Sequence, residues 1–228
     1  MNDVELVVVD DADAVAEAVA QRLAQAAAQG GNIVLTGGKT PERAYERAAV
    51  LASDWSRVEV WWGDERCVPP DDENSNFGMA RRALLDSLAQ PPLAVHRIEG
   101  ERGKDDAAAA YEQELGSTAL DLLLLGIGPD GHVASLFPGK SSLDETGRRV
   151  VGTEPGLEPW VDRVTLTLPT LRAAREILFV VSGDAKADAV RGAFADNPSA
   201  ETPASLVRAD SGRTTAILDR AAAAAIAA

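Results

Sequence analysis

The segment Leu122–Gly139, which reads LLLLGIGPDGHVASLFPG, joins four leucines to a glycine-rich loop that carries an acid and a histidine. A run that is apolar on both faces is typical of a strand buried in the middle of a parallel sheet. Ligands of open α/β sheets bind beyond the carboxyl ends of such strands. The segment therefore predicts a buried strand, Leu122–Leu125, that ends at a candidate functional loop.

Outward from this segment, short β-branched or leucine-rich runs alternate with longer alanine-rich amphipathic stretches. This alternation is typical of an α/β protein with a mostly parallel sheet flanked by helices. The other predicted strands are Leu6–Val9, Ile33–Thr36, Val58–Trp62, Val95–Ile98, Arg163–Leu168, Ile177–Val181 and Thr214–Leu218. The predicted helices are Ala12–Gln29, Pro41–Leu51, Ser75–Leu88, Asp105–Leu115 and Ala185–Phe194.

Local signals place the ends of several helices. One of the two aspartates in Asp10-Asp11 is expected to cap the first helix, and Gly30 is expected to end it. Thr40 is predicted to be the N-cap of the second helix, with proline at its first position. The stretch from Gly139 to Pro159 is interpreted as an elaborate loop or a small β excursion, and no linker divides the chain, so we expect residues 1–228 to form a single domain.

The composition limits the possible partners. The 228 residues include 46% hydrophobic and 25% charged side chains, and the formal net charge is −14. Such a field repels nucleic acid and anionic membrane surfaces, so an anionic ligand needs a local cluster of cations and backbone N–H groups. One cysteine and two histidines exclude an internal disulfide and leave little for a metal site. With no signal peptide and no long apolar segment, we expect a cytoplasmic monomer.

A glycine turn follows the predicted strand Ile33–Thr36. Gly37, Gly38, Lys39 and Thr40 come directly before a helix, whose first N–H groups form an anion site. A P-loop is excluded, because its pattern needs glycine at position 33. The turn is interpreted as a phosphate cradle, and the alternative is that the glycines only close a tight turn.

Asp64 and Arg66 follow the predicted strand Val58–Trp62. A carboxylate and a guanidinium in this position can orient a sugar hydroxyl and bind an anion, respectively. The alternative is an exposed ion pair. Cys67 is interpreted as a small apolar filler, and the Asn74–Asn76 segment as a helix cap.

The loop after Leu122–Leu125 matches G-x-G-x-x-G, but Pro138 and Gly139 prevent the long helix that a dinucleotide site needs. It presents Asp130 and His132, and a histidine is well suited to move a proton at neutral pH. The alternative is a buried histidine that binds a backbone carbonyl, and His96 is interpreted in that way.

Lys186 follows the predicted strand Ile177–Val181, at the start of a helix. A lysine is unfavourable there, because the positive end of the helix dipole lies at the N-terminus. A bound phosphate would explain it.

In this order, six segments resemble the 6-phosphogluconolactonase family, relatives of glucosamine-6-phosphate deaminase. They cover nearly the whole chain: TGGKTP (36–41), WGDER (62–66), SN (75–76), LGIGPDGHVASLFPG (125–139), RVTLTLP (163–169) and SGDAKA (182–187). The resemblance implies a Rossmann-like modified α/β sandwich without a metal or organic cofactor. It also implies hydrolysis of 6-phospho-D-glucono-1,5-lactone to 6-phospho-D-gluconate in the oxidative pentose phosphate pathway.

The resemblance also implies roles for single residues. His132 matches the catalytic histidine of the family, Asp130 the acid of the same loop, and Asp64 the aspartate at the strand end. The turn from Gly37 to Thr40 and three cations match its phosphate and ligand contacts. These cations are Arg66, Arg163 and Lys186.

Two rival functions remain. The deaminase branch has a glutamate where this chain has Phe137, which favours lactone hydrolysis over ring opening and loss of an amine. A sugar-phosphate sensor without catalytic activity would need the cations but not His132. Which of Asp130 and Asp64 orients the histidine stays open.

Overall fold

Ten strands and six α-helices make up the computed structural model, which describes residues 4–226. The strands are β1 (Val4–Val9), β2 (Gly31–Leu35), β3 (Val58–Trp62), β4 (Asp64–Arg66), β5 (Ala94–Val95), β6 (Leu122–Leu125), β7 (Val150–Thr153), β8 (Arg163–Leu166), β9 (Glu176–Val181) and β10 (Arg213–Asp219). The helices are α1 (Ala12–Gln29), α2 (Lys39–Leu51), α3 (Asn76–Ala83), α4 (Lys104–Leu115), α5 (Leu168–Arg172) and α6 (Ala187–Ala193).

The main sheet is parallel throughout and has the order β1-β10-β9-β6-β2-β3-β5. This confirms the predicted fold class. All four leucines of β6 are buried, as expected for a central strand. Strands β2 and β6 are neighbours near the middle of the sheet. After β2 the chain adds β3 on one side of this pair, and after β6 it adds β9 on the other side. The carboxyl ends of β2, β6 and β9 therefore meet where the strand order reverses, which is where α/β sheets bind ligands.

A second sheet is antiparallel and has the order β4-β8-β7. Its strand β4 follows β3 along the chain after Gly63. The predicted strand Arg163–Leu168 ends at Leu166 and belongs to this sheet, not to the main one. Asp64–Arg66, which was not predicted to be a strand, is one, because its backbone pairs with residues 163–165. The stretch after Gly139 forms β7, so the β excursion is confirmed.

The helices confirm most of the sequence signals. Helix α1 has the predicted bounds, and the carboxylate of Asp11 accepts a hydrogen bond of 2.8 Å from the N–H of Ala14. Gly30 ends the helix with a φ of 78°, which favours glycine. The prediction for Thr40 was wrong: α2 begins at Lys39 after Gly38, and the Thr40 hydroxyl lies 2.6 Å from the Ser182 hydroxyl instead.

Three further elements differ from prediction. The predicted helix Ser75–Leu88 stops at Ala83, where Leu84 leaves the helical conformation, and a 3₁₀ turn follows. The segment from Asp184 to Lys186 is also a 3₁₀ turn, so α6 begins only at Ala187. The strand expected at Val95–Ile98 is the two-residue β5. Its backbone turns away after His96, whose N–H still bonds to the Val60 carbonyl.

The core lies on both faces of the main sheet and includes three buried tryptophans, Trp55, Trp61 and Trp62. Among residues 4–226, none of the helices combines the length and the apolar character that a membrane span requires.

The Asp11 cap gives a test of the local folding argument. We expect Asp11→Ala to lower the free energy of unfolding by about 1 kcal/mol, because the N–H of Ala14 loses its acceptor. Asp10→Ala is the matched control, since Asp10 only forms an exposed ion pair with Arg220. Chemical denaturation would measure both variants, and equal losses would contradict the capping role of Asp11.

Candidate active site

A cavity of ≈ 560 Å³ lies at the carboxyl ends of β2, β6 and β9 and is closed on one side by the small sheet. Its walls come from the turn after β2, the loop after β6, the turn after β9 and the segment that precedes β8. The strand ends that the sequence analysis singled out therefore meet in one place.

Cationic side chains outnumber carboxylates in this cavity. The carboxylates are Asp64 and Glu158, and the cations are Lys39, Arg43, Arg66, Arg163 and Lys186. In a protein with a net charge of −14, this is a local reversal of sign. Such a reversal suits an anionic ligand.

The turn from Gly37 to Thr40 lines the cavity at the start of α2. No side chain among residues 4–226 caps this helix, and Gly38 has a φ of 114°. N–H groups of the first turn therefore remain available to a ligand, together with the helix dipole. A side chain at Gly37 would collide with Asn76, so this glycine lets the turn approach α3.

The two cavity lysines differ from the other two lysines of the chain. Lys104 and Lys140 lie outside the cavity and form ion pairs with carboxylates. Lys39 and Lys186 form none within residues 4–226. Burial lowers the pKa of Lys186, and the charge of Asp130 opposes that shift. A bound anion would offset the cost of burying this amine.

Two arginines also line the cavity. Arg66 donates a hydrogen bond of 2.6 Å to the Asn74 carbonyl, whereas its buried Nε has no partner within residues 4–226. Arg163 is 3% exposed and donates to the carbonyls of Leu157, Pro159 and Val161, so it holds the segment before β8 against the cavity. Burial lowers the pKa of Arg163, and the neighbouring charge of Arg66 acts in the same direction.

His132 and Asp130 form a close pair in the loop after β6. The Nδ1 atom of His132 lies 2.5 Å from Oδ1 of Asp130, and the backbone N–H of His132 donates to the same oxygen. Burial raises the pKa of Asp130, but its bonds to His132 and the charge of that residue leave the pKa below its ordinary value. The ring of His132 packs against Phe137 with centroids 4.4 Å apart, and a side chain at Gly128 would collide with it.

The alternative for His132, a buried histidine bound to a backbone carbonyl, does not describe this geometry. Nδ1 faces a carboxylate, and Nε2 has no hydrogen-bond partner within residues 4–226. His132 lines the cavity, whereas Asp130 lies behind it. A carboxylate in this position fixes which ring nitrogen carries the proton.

Asp64 is 6% exposed and lines the cavity. Its Oδ2 accepts a hydrogen bond of 2.6 Å from the Ser135 hydroxyl, and its Oδ1 accepts one of 3.3 Å from the Asn76 amide. The alternative of an exposed ion pair with Arg66 is therefore wrong. A carboxylate has about four acceptor positions, so a ligand hydroxyl can still bind to Asp64.

Sequence reasoning missed the role of Glu65 and Asn76. Glu65 is 2% exposed and accepts hydrogen bonds from the N–H groups of Asn76 and Phe77 and from the Ser75 hydroxyl. Burial raises the pKa of Glu65, and its backbone donors oppose the shift. Ser75 does cap α3, as predicted. Glu65 additionally fixes Asn76, which contacts Asp64.

All other predicted site residues line the cavity with His132, and only Asp130 does not. The cavity adds Arg43, Ser182 and Glu158, which were not predicted. Ser182 directly follows β9, so the strand-end rule that found Lys186 would also have found Ser182. Arg43 and Glu158 carried no such signal.

The remaining titratable candidates lie elsewhere. Burial raises the pKa of the Cys67 thiol to about 11, consistent with an inert filler. His96 lies between Glu114 and Glu59 and stacks on Trp61 at 3.8 Å, so its partners are carboxylates and not a carbonyl. Residues 4–226 contain no group of three or more His, Cys, Asp or Glu side chains that could hold a metal ion.

Comparison with known proteins points to one family. Residues 10–216 match the family described as glucosamine-6-phosphate isomerases/6-phosphogluconolactonase. The chain is 45% identical to a 6-phosphogluconolactonase of Mycobacterium leprae over 75% of this chain and 76% of the relative. It is 41% identical to a 6-phosphogluconolactonase of Streptomyces coelicolor over 84% of this chain and 80% of the relative. The solved 6-phosphogluconolactonase of Trypanosoma brucei superposes with a TM-score of 0.86 at 27% identity, over 98% of this chain and 99% of that one.

Proposed function

This chain belongs to the family of glucosamine-6-phosphate isomerases and 6-phosphogluconolactonases, and we propose that His132 is the general base with which it hydrolyses 6-phospho-D-glucono-1,5-lactone to 6-phospho-D-gluconate. The reaction is a carboxylic ester hydrolysis in the oxidative pentose phosphate pathway. One observation carries the assignment: His132 is held by Asp130 at Nδ1 and presents an unpaired Nε2 at a cavity lined with cations.

Lactone hydrolysis needs a base for the attacking water and an acid for the leaving oxygen. Nε2 of His132 removes a proton from water as the water oxygen bonds to the carbonyl carbon, C1. The resulting tetrahedral intermediate then breaks its bond to the ring oxygen, which receives that proton from His132. Asp130 keeps a proton on Nδ1 of the His132 imidazole. It also stabilises the positive charge that His132 carries between the two steps.

The cations bind the remote phosphate. Lys39, Arg66 and Lys186 line the cavity and, with the N–H groups at the start of α2, provide charge and donors for it. Binding energy from the phosphate then holds C1 next to His132. This positioning lowers the entropic cost of the reaction. Arg163 has a supporting role, because it holds the segment that precedes β8 at the cavity wall.

Asp64 binds a hydroxyl of the sugar ring. Ser135 and Asn76 hold its carboxylate at the cavity wall, and its free acceptor positions face the ligand. We therefore assign the orientation of the histidine to Asp130 and the orientation of the sugar to Asp64.

Phe137 argues against the deaminase alternative. Its ring is 1% exposed and packs on His132 at the position where the deaminase motif has a glutamate. An apolar ring cannot exchange a proton with an amine or a ring oxygen. The same ring limits the space that His132 can occupy, which suits a fixed general base.

Three functions can be separated by three measurements. A lactonase accelerates hydrolysis of the phosphorylated lactone above its spontaneous rate, a deaminase releases ammonia from glucosamine 6-phosphate, and a sensor binds sugar phosphates without turnover. We further propose that the chain acts as a cytoplasmic monomer with no nucleic-acid or membrane partner, since its net charge of −14 opposes both surfaces.

Replacement of His132 tests the base. We expect His132→Ala to lower kcat by about 10²–10⁴-fold, because water loses its proton acceptor, and to leave binding of 6-phosphogluconate nearly unchanged. His96→Ala is the control, since His96 lies outside the cavity and should retain wild-type activity. A wild-type kcat in His132→Ala would contradict the assignment of His132 as the general base.

Replacement of Asp130 tests its separate role. We expect Asp130→Asn to lower kcat with little change in KM, because the carboxylate contacts His132 and not the substrate. Asp64→Asn should raise KM as well, and Asp86→Asn, an exposed residue outside the cavity, should behave as wild type. If Asp130→Asn retained full kcat while Asp64→Asn lost it, Asp64 would be the residue that orients His132.

Two lactones test the phosphate anchors. We expect Lys186→Ala and Arg66→Ala each to reduce kcat/KM for the phosphorylated lactone by roughly ten- to hundredfold, the value of a charged hydrogen bond. Unphosphorylated gluconolactone should be much less affected, because it lacks the group that these cations bind. Equal losses on both substrates would show that the cations act at the reacting centre or on folding. Lys140→Ala is the control for the loss of a lysine outside the cavity.

A further inference from the structure

Gly126 is the first residue after the central strand β6 and lines the floor of the cavity. Strands β2 and β9 flank β6, so the phosphate turn that begins at Gly37 and the turn that carries Lys186 lie on either side of this glycine. The loop that carries His132 begins at the same residue. Gly126 thus lies between the two anchoring turns and begins the loop that carries the base.

Most glycines of this protein have a structural reason. Several adopt a positive φ that other residues rarely tolerate, as Gly38 and Gly131 do. Others lie against a neighbour that a side chain would strike, as Gly37 and Gly128 do. In each case another residue would strain the fold itself.

Gly126 meets neither condition. Its φ lies outside the left-handed region, and a Cβ built on it has no heavy atom of residues 4–226 within 4 Å beyond its chain neighbours. Gly63 and Gly147 would also accept a Cβ at ordinary contact distances, but neither lines the cavity. The fold therefore permits alanine at position 126.

Glycine is also the less favourable choice for folding here. An alanine with a compatible backbone restricts the unfolded chain and stabilises a protein. A glycine that the backbone does not need, directed at an otherwise open cavity, indicates that the ligand occupies the place of the missing side chain.

Resting on the proposed function, we infer that the sugar ring of the lactone lies directly on the backbone of Gly126, and that the absence of a Cβ there is a specificity determinant. We place the ring and not the phosphate at this position, because the loop that begins at Gly126 carries His132, which has to reach C1 of the ring. A Cβ at residue 126 would lift the ring from the floor and displace C1 from His132.

The test compares Gly126→Ala with the wild type and with Gly147→Ala, a matched control at an exposed turn outside the cavity. We expect kcat/KM for the phosphorylated lactone to fall about tenfold or more in Gly126→Ala, the effect of one misplaced methyl group in a fitted site. The inhibition constant of inorganic phosphate should stay at its wild-type value, because its anchors are intact. The melting temperature should be unchanged or higher.

Three results would overturn the inference: wild-type kcat/KM in Gly126→Ala, an equal loss of phosphate affinity, or a lower melting temperature that indicates a structural role. Failure of the proposed function is distinguishable, because the wild type itself would then fail to accelerate hydrolysis. In that case calorimetric binding of glucose 6-phosphate, whose pyranose ring is closed, to both proteins still tests the ring position, and equal affinities would overturn it.

Discussion

Parallel pairing of β6 with β2 on one side and with β9 on the other is the constraint on which the site depends. Parallel strands end at the same edge, so three loops that are distant in sequence open into one crevice. Each loop then contributes a different function: donors and charge from the turn after β2, the histidine from the loop after β6, and Lys186 from the turn after β9. The buried leucines of β6 secure this register by filling both faces of the sheet.

The cavity is electrostatically unfavourable when nothing is bound. Lys39 and Lys186 form no ion pair within residues 4–226, Arg66 buries an unpaired Nε, and burial lowers the pKa of Lys186 and of Arg163. A dianionic phosphate would relieve all of these at once. The acidic surface repels the same ligand at a distance, so affinity has to come from contacts inside the cavity and not from long-range attraction.

The sequence predicts elements whose signals are local. Four leucines gave the bounds of β6, and a capping aspartate with a following glycine gave the bounds of α1. The errors concern contacts between distant segments. Asp64–Arg66 is a strand only because residues 163–165 pair with it. The Thr40 hydroxyl contacts Ser182, 142 residues away, and does not cap its own helix. Glu65 was overlooked for the same reason, since the partners that link it to α3 begin ten residues later at Ser75.

The same distinction explains why the two acids of the site were unequally predictable. Asp130 is two residues from His132, and bonds within the loop, from Gly128 N–H to the His132 carbonyl and from Gly131 N–H to the Gly128 carbonyl, bring the two side chains together. The sequence therefore places the two residues close together, although it leaves open whether Asp130 or Asp64 orients the histidine. Asp64 reaches the cavity through Ser135 and Asn76, which belong to separate segments, so no local pattern could assign its role. Short-range contacts thus fix the pair of His132 and Asp130, and long-range packing fixes the carboxylate of Asp64 at the cavity wall.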